Sequence, residues 1–103
     1  EKKLVPSNFI IEVPKGYALI VAARSGTPKK GIMLANSIGI IDEDYHGPED
    51  EIRIWAWNMT DVPIKIERGD RIAQGLIVPI ERAEWEETEK IKESSRGGFG
   101  STG

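Results

Sequence analysis

The amino-acid sequence predicts an all-β fold. Its apolar runs are short enough to be strands, and they are interrupted throughout by 11 glycines and 6 prolines among 103 residues. In residues 52–57, aliphatic side chains alternate with an arginine and two tryptophans, which is the period of a strand with two different faces. The most highly charged segment, residues 81–94, lacks the apolar stripe of an amphipathic helix.

The first half of the chain contains five predicted strands separated by turn signals. Residues 14–16, Pro-Lys-Gly, favour a turn because proline fixes one backbone angle and glycine tolerates unusual ones. A serine, a glycine and a proline within residues 25–28 end the apolar run that precedes them. The predicted strands are residues 4–5, 9–13, 17–23, 32–34 and 38–41.

The second half continues this pattern and ends in a charged arm. Residues 52–57 and 64–66 alternate as strands do, residues 67–70 predict a hairpin turn, and residues 72–80 predict the last strand. The following segment is interpreted as a solvated arm that carries the C-terminal tail, the alternative being a short helix. The predicted division is a β-barrel core over residues 1–80, a charged arm over 81–94 and a glycine-rich tail over 95–103.

Composition limits the classes of function. The chain contains no cysteine, which excludes disulfides and thiolate metal sites and is compatible with a reducing compartment. A net charge of −3 argues against a broad nucleic-acid surface, because such surfaces are normally basic. We find no apolar run long enough to span a bilayer and no signal peptide. We therefore expect a cytoplasmic protein that binds neither nucleic acid nor membrane.

The last nine residues, Ser-Arg-Gly-Gly-Phe-Gly-Ser-Thr-Gly, are rich in groups that bind anions. The glycines let several backbone amides converge on one anion. Arg96 adds positive charge, Ser101 and Thr102 add hydroxyl donors, and Phe99 offers a flat face to a base. These residues favour a tail that wraps a nucleoside polyphosphate, the alternative being an ordinary flexible C-terminus.

Three further segments carry groups suited to chemistry, although the first two alone are also compatible with ordinary turns and Asp70 and Arg71 of the third with a surface ion pair. Residues 24–26, Arg-Ser-Gly, form an anion-binding corner just past a predicted strand. Asp42 follows a continuous apolar run, where its carboxylate can orient a water and accept its proton, and Tyr45 can support a sugar. Gln74 is polar in an apolar strand and needs a partner if it is buried. His46 lies in a polar loop and is predicted to be exposed, without a role.

Taken in order, these segments resemble four of the five motifs of the trimeric dUTPases, and the likeness covers nearly the whole chain. It implies a jelly-roll-like, β-clip subunit with a flexible C-terminal arm, acting as a homotrimer whose active sites are shared between subunits. The segments are Arg24-Ser25-Gly26, Gly39-x-Ile41-Asp42-x-x-Tyr45-x-Gly47, Gly69-Asp70-Arg71-Ile72-Ala73-Gln74 and Arg96-Gly97-Gly98-Phe99-Gly100-Ser101-Thr102-Gly103.

The resemblance also implies a reaction, the hydrolysis of dUTP to dUMP and pyrophosphate with Mg²⁺. Asp42 would position and deprotonate the water that attacks the α-phosphate, while Tyr45 would pack under the deoxyribose and exclude a 2′-hydroxyl. Phe99 would stack on uracil. The other implied substrate ligands are Arg24, Ser25, Gly26 and Gln74 for the phosphates, Asn36 with the Gly39 and Ile41 backbone for uracil, and Arg96, Gly100, Ser101 and Thr102 for the β- and γ-phosphates.

Two departures from the family accompany the resemblance. The family's first motif, an Ala-Gly-x-Asp-Leu type segment, is not found, so we expect the barrel to lack its N-terminal strands. Because the aspartate of that motif lies near the metal, no metal-contacting residue is assigned in this chain. Residues 47–51 look longer than the matching stretch of many members, which predicts a longer surface loop and unchanged chemistry.

Two alternative functions stay open. A dCTP deaminase of the same fold, including a bifunctional one, usually carries Asp-Pro-Gly-Phe where this chain has Asp-Glu-Asp-Tyr at residues 42–45. That difference favours the dUTPase. The second alternative, suggested by the missing first motif, is a catalytically inactive nucleotide-binding or interaction module.

Overall fold

The computed structural model describes residues 1–89 and 96, and its strands form two three-stranded antiparallel sheets. One short 3₁₀ helix is the sole helical element in this part of the chain. The prediction of an all-β fold is therefore confirmed. The elements are β1 (Lys2–Pro6), β2 (Tyr17–Ala22), the 3₁₀ helix (Pro28–Lys30), β3 (Ile32–Leu34), β4 (Gly39–Ile41), β5 (Arg53–Asn58) and β6 (Gln74–Pro79).

The first sheet has the strand order β1-β5-β3 and confirms the two-faced pattern of residues 52–57. Ile54 and Ala56 of β5 are buried, whereas Trp55 and Trp57 between and beyond them are exposed. The alternation follows from the pleat, which sends successive side chains to opposite faces of a sheet. The inward face of β5 thus contributes to the core.

The second sheet has the strand order β4-β2-β6, with β2 in the centre. Leu19 of β2 lies opposite Ile41 of β4, and Ala22 lies opposite Gln74 of β6. Because both neighbours are antiparallel to β2, the start of β4 and the start of β6 lie at the same end of the sheet. This arrangement determines which predicted site residues can meet.

The core contains apolar side chains from both sheets and from the segments that connect them. Burial of such side chains is the dominant favourable term in folding. Three buried members, Val13, Ile52 and Ile72, lie outside the strands and attach the connecting segments to the sheets. The buried set is Val13, Leu19, Val21, Ile32, Leu34, Ile52, Ile54, Ala56 and Ile72.

Two predicted strands, residues 9–13 and 64–66, belong to neither sheet. Part of their apolar surface packs against the core: Val13 is buried and Ile64 and Ile66 are partly buried there, whereas Phe9 and Ile10 are exposed. A strand also needs a neighbour that bonds to its backbone along its length. Phe9 makes one isolated bond of this kind, accepting from Ile52 N at 2.9 Å. The two segments are therefore partly buried connections, and their assignment as strands was wrong.

The predicted turns form, with one correction. Tyr17 N donates to Pro14 O at 3.1 Å, and Gly16 adopts φ +85°, a left-handed conformation that suits glycine. Asp70 N donates to Glu67 O at 3.0 Å, so residues 67–70 also turn. This second turn is not a hairpin, because residues 64–66 before it form no strand and β6 after it pairs with β2.

The charged arm leaves the second sheet after β6. Residues 81–89 are exposed and contain neither helix nor strand, and Trp85 is fully exposed. The division of the chain at residues 80 and 94 stays a prediction, because residues 90–95 and 97–103 lie outside the described part. Within residues 1–89 and 96, no helix has the length and apolar character needed to cross a membrane.

Candidate nucleotide-binding site

The predicted anion-binding corner is a tight turn closed by the side chain of Thr27. Thr27 N donates to Arg24 O at 3.0 Å, and Arg24 N donates back to Thr27 Oγ1 at 2.9 Å. The Thr27 hydroxyl also donates to Ile72 O at 2.8 Å, and Thr27 is 0% exposed. The turn leaves Ser25 exposed and is attached to the segment that leads into β6.

Gln74 lies beside this corner. Its Nε2 donates to Ala23 O at 2.9 Å, and the residue lies opposite Ala22 in the sheet. Gln74 is exposed, so its hydrogen bond is not forced by burial. The structure therefore brings Gln74 next to residues 24–26, with which the family resemblance grouped it as a phosphate ligand.

Thr27 was missed by the sequence analysis, although a local signal was present. A threonine directly before a proline is a common start of a helical turn, and Thr27 precedes the 3₁₀ helix in that way. Its contact with Ile72, 45 residues away, could not be read from that signal.

Asn36 and Gly39 lie on the other side of β2, at the same end of the sheet. Gly39 is opposite Val21. The Asn36 Nδ2 atom lies 3.6 Å from the position that a Cβ on Gly39 would occupy. These two predicted uracil contacts are thus adjacent to each other, and Ile41 follows them along β4 toward the opposite end.

The loop that contains Asp42 and Tyr45 lies at the far end of the second sheet. Tyr45 N donates to Asp42 O at 3.1 Å, which turns the chain, and the Tyr45 hydroxyl donates to Glu51 O at 3.0 Å. Glu43 accepts a hydrogen bond from Gly16 N at 2.9 Å, which attaches the loop to the turn before β2. His46 is exposed, as predicted.

The carboxylate of Asp42 is held through one of its two oxygens. Its Oδ1 atom accepts from Glu43 N at 2.9 Å and from Arg82 Nη2 at 2.7 Å. No group in residues 1–89 and 96 donates to Oδ2. The hydrogen bond from Arg82 and then that from the Glu43 amide hold the pKa of the Asp42 carboxyl below its ordinary value. Asp42 is therefore an ionised acceptor at neutral pH.

Within one chain, the two groups of candidate residues are far apart. Asp42 follows Ile41, which lies opposite Leu19, whereas Arg24 lies beyond Ala22 at the other end of β2. The position level with Asp42 is Ala18, six residues before Arg24, and two of those six lie beyond the end of β2, so the separation is up to about 20 Å of extended chain. A single copy therefore does not bring Asp42 to the anion-binding corner at residues 24–26.

The remaining predicted site residues are in the tail, of which little is described. Arg96 is exposed. Phe99, Gly100, Ser101 and Thr102 lie outside the described residues, and their roles stay predictions. Among residues 1–89 and 96, no three His, Cys, Asp or Glu side chains are grouped closely enough to hold a metal ion.

Comparison with known proteins decides the family. The model of the dUTPase family matches residues 1–103, the full sequence. The chain belongs to the dUTPase family. A curated relative, the deoxyuridine 5'-triphosphate nucleotidohydrolase of Wolbachia sp. subsp. Brugia malayi, is 42% identical over 108 residues. That match covers 100% of this chain and 67% of the relative, so the chain spans about two thirds of the relative's length.

Solved structures of dUTPases have the same fold. The dUTPase from Streptococcus mutans superimposes with a TM-score of 0.76 at 34% identity, over 82% of this chain and 69% of that one. The dUTPase of Staphylococcus bacteriophage 80alpha, solved with dUPNHPP, gives a TM-score of 0.77 at 27% identity, over 100% of this chain and 76% of that one. The predicted dUTPase-type fold is thus confirmed.

Replacing Thr27 by valine tests whether its hydroxyl stabilises the anion-binding corner at residues 24–26. Valine keeps the shape but leaves Arg24 N and Ile72 O without their partner, at a cost of about 1–3 kcal/mol for a buried group left unpaired. We expect a lower melting temperature and a higher KM for the nucleotide. Thr27→Ser, which keeps the hydroxyl, is the matched control and should retain a KM closer to that of the parent. A Thr27→Val protein with unchanged stability and KM would contradict the assignment.

Proposed function

We propose that this dUTPase-family chain hydrolyses dUTP to dUMP and pyrophosphate, with Asp42 as the group that activates water. The observation that carries the proposal is the Asp42 carboxylate, ionised and fixed through Oδ1 while Oδ2 has no donor in the described part of the chain. The family match, the relative named as a deoxyuridine 5'-triphosphate nucleotidohydrolase and the phage structure with a dUTP analogue support the choice of substrate.

The proposed reaction begins with a water that donates a hydrogen bond to Asp42 Oδ2. The carboxylate takes the proton while the water oxygen forms a bond to the α-phosphorus. The bond from the α-phosphorus to the oxygen that bridges to the β-phosphorus breaks, and pyrophosphate leaves with that electron pair. Asp42 then returns its proton to solvent.

The anion-binding corner at residues 24–26 supplies positive charge and hydrogen-bond donors for this step. No ion pair to Arg24 forms within residues 1–89 and 96, so its guanidinium is available to an anion. Ser25 is exposed beside it, and Gln74 lies next to the same turn. Since phosphoryl displacement depends mostly on positioning and charge neutralisation, such a corner suits a triphosphate.

Magnesium is expected from the family resemblance, but the residues described here do not form a cage for it. Mg²⁺ is commonly held by one or two carboxylates together with substrate phosphates. We therefore propose that it enters with the triphosphate, and we assign no residue of this chain to it.

We further propose that each active site is completed by other copies of the chain. The separation of up to about 20 Å between Asp42 and Arg24 supports this, because Asp42 of one copy must then meet the corner around Arg24 of another. The number of three copies, and the donation of the tail by a third one, rest on the family resemblance. The cytoplasmic location likewise stays a prediction.

The direct test is product analysis with dUTP and dCTP, each with and without Mg²⁺. The proposal predicts equal amounts of dUMP and pyrophosphate from dUTP, increased by Mg²⁺, and no ammonia from dCTP. Ammonia release would indicate the deaminase alternative. Nucleotide binding without any product would indicate the inactive module.

Replacing Tyr45 by alanine is expected to weaken discrimination against UTP. A ring packed against the deoxyribose rejects a ribose through a clash at the 2′ position, so its loss should raise relative activity on UTP while lowering that on dUTP. The measurement is the ratio of kcat/KM for dUTP to that for UTP. His46→Ala, at the neighbouring exposed position, is the control and should keep the ratio of the parent. An unchanged ratio in Tyr45→Ala would remove the ring from the sugar pocket.

A further inference from the structure

We propose that Arg82 is a positioning residue that fixes the carboxylate of Asp42 in one orientation for the attack of water. This inference rests on the proposed function, in which Asp42 accepts the proton of that water. It concerns a residue of the charged arm that the motif analysis did not assign to the site.

Arg82 makes a directed contact with Asp42. Its Nη2 atom donates to Asp42 Oδ1 at 2.7 Å and lies 3.8 Å from Glu43 Oε2. Oδ1 also accepts from the Glu43 amide, so two donors converge on the same oxygen. The arrangement selects one rotamer of Asp42 and leaves Oδ2 for a further donor such as water.

The backbone on both sides of this contact is attached to Gly16. Ile80 N donates to Gly16 O at 2.9 Å, and Gly16 N donates to Glu43 Oε2 at 2.9 Å. One glycine therefore bonds both the start of the arm and the loop that carries Asp42. Pro79 at the end of β6 lies opposite Tyr17, which fixes the point where the arm begins.

The energetics favour a role in the site over a role in folding. The Arg82 and Asp42 side chains are 59% and 53% exposed, and exposed ion pairs contribute little to stability. The carboxylates of Glu43 and Asp44 also attract the guanidinium electrostatically. Nearby, Nδ1 of the His46 ring forms a hydrogen bond with the Glu43 carbonyl oxygen. Among these groups, the arginine alone carries a permanent positive charge with several donors, which suits it to holding an ionised carboxylate.

The test compares Arg82→Gln, Arg82→Lys and the control Lys65→Gln, which removes an exposed ion pair to Glu67 elsewhere on the surface. Two quantities are measured in the full chain: the pH titration of the Asp42 carboxyl carbon by NMR, and kcat and KM for pyrophosphate release from dUTP across pH. Circular dichroism melting checks that each variant folds.

Arg82→Gln is expected to lower kcat about tenfold at neutral pH with little change in KM, since positioning of the reacting group is lost. Because Arg82 lowers the pKa of Asp42, its loss raises that pKa, so the Asp42 titration and the acid limb of the kcat profile should both move to higher pH. Arg82→Lys keeps the charge. Its acid limb should therefore lie close to that of the parent, while its kcat should stay below the parental value. Lys65→Gln should match the parent in every measurement.

The inference is overturned if the Asp42 titration and kcat of Arg82→Gln both equal those of the parent. If the parent hydrolyses dUTP, this result rejects the role of Arg82 and leaves the proposed function standing. If the parent releases no pyrophosphate, the proposed function fails instead. In that case the NMR titration alone decides whether Arg82 holds Asp42, and an unmoved titration in Arg82→Gln rejects it.

Discussion

Replacing Asp42 by asparagine is expected to lower the turnover of dUTP by about 10²- to 10⁴-fold, the usual contribution of a general base. The amide keeps the shape of the side chain and can still accept from the Glu43 amide and from Arg82, so the loop should stay in place. It cannot take a proton from water. The expected signature is a fall in kcat with nucleotide affinity retained, measured by single-turnover kinetics and by calorimetric binding of a dUTP analogue.

The matched control for this variant is Asp61→Asn, which removes an exposed carboxylate outside the candidate site. It should leave kcat and KM at parental values. If Asp42→Asn turns over dUTP at close to the parental rate, another group activates the water and Asp42 is not part of the mechanism.

Deleting residues 95–103 is expected to reduce kcat/KM by about a hundredfold or more, a loss comparable to removal of a transition-state donor. The core described here is built from residues 5–73, so the fold should survive the deletion. The deletion removes Arg96, Phe99 and the hydroxyls of Ser95, Ser101 and Thr102 together. Arg96→Ala in the full-length chain separates the contribution of charge from that of the ring and the hydroxyls.

Amide hydrogen exchange reports whether the tail closes on the nucleotide. Residues 95–103 should gain protection when dUPNHPP and Mg²⁺ are added, because contacts to the triphosphate must offset the entropy of ordering them. Unchanged protection together with full activity of the truncated protein would leave the tail as an ordinary C-terminus.

The local patterns in the sequence predicted those parts of the fold that depend on neighbours along the chain. The alternation of residues 52–57 and the turn at residues 14–16 both formed, because pleat and turn chemistry act over a few residues. Residues 9–13 do not form a strand, because a strand needs a neighbouring strand to which its backbone hydrogen-bonds, and the local pattern does not specify that neighbour.

For the site as well, local motifs predicted some residues, and contacts between distant parts of the chain determined the others. The motif resemblance placed Gln74 with the Arg24 corner, and the structure brings the two together. Thr27 and Arg82 were missed because their roles depend on contacts with Ile72 and Asp42, 45 and 40 residues away. Composition and spacing contain no signal for such contacts, which arise only when the sheets form.

A mixing experiment tests most directly whether the active site is shared between copies. Asp42→Asn and Arg24→Ala are each expected to be nearly inactive alone, since each lacks one half of every site. After the two variants are refolded together in equal amounts, random assembly should complete about one quarter of the sites, and a corresponding share of the parental activity should return. A mixture no more active than the sum of its separate components would show that Asp42 and Arg24 of the same copy form the site, which contradicts the account.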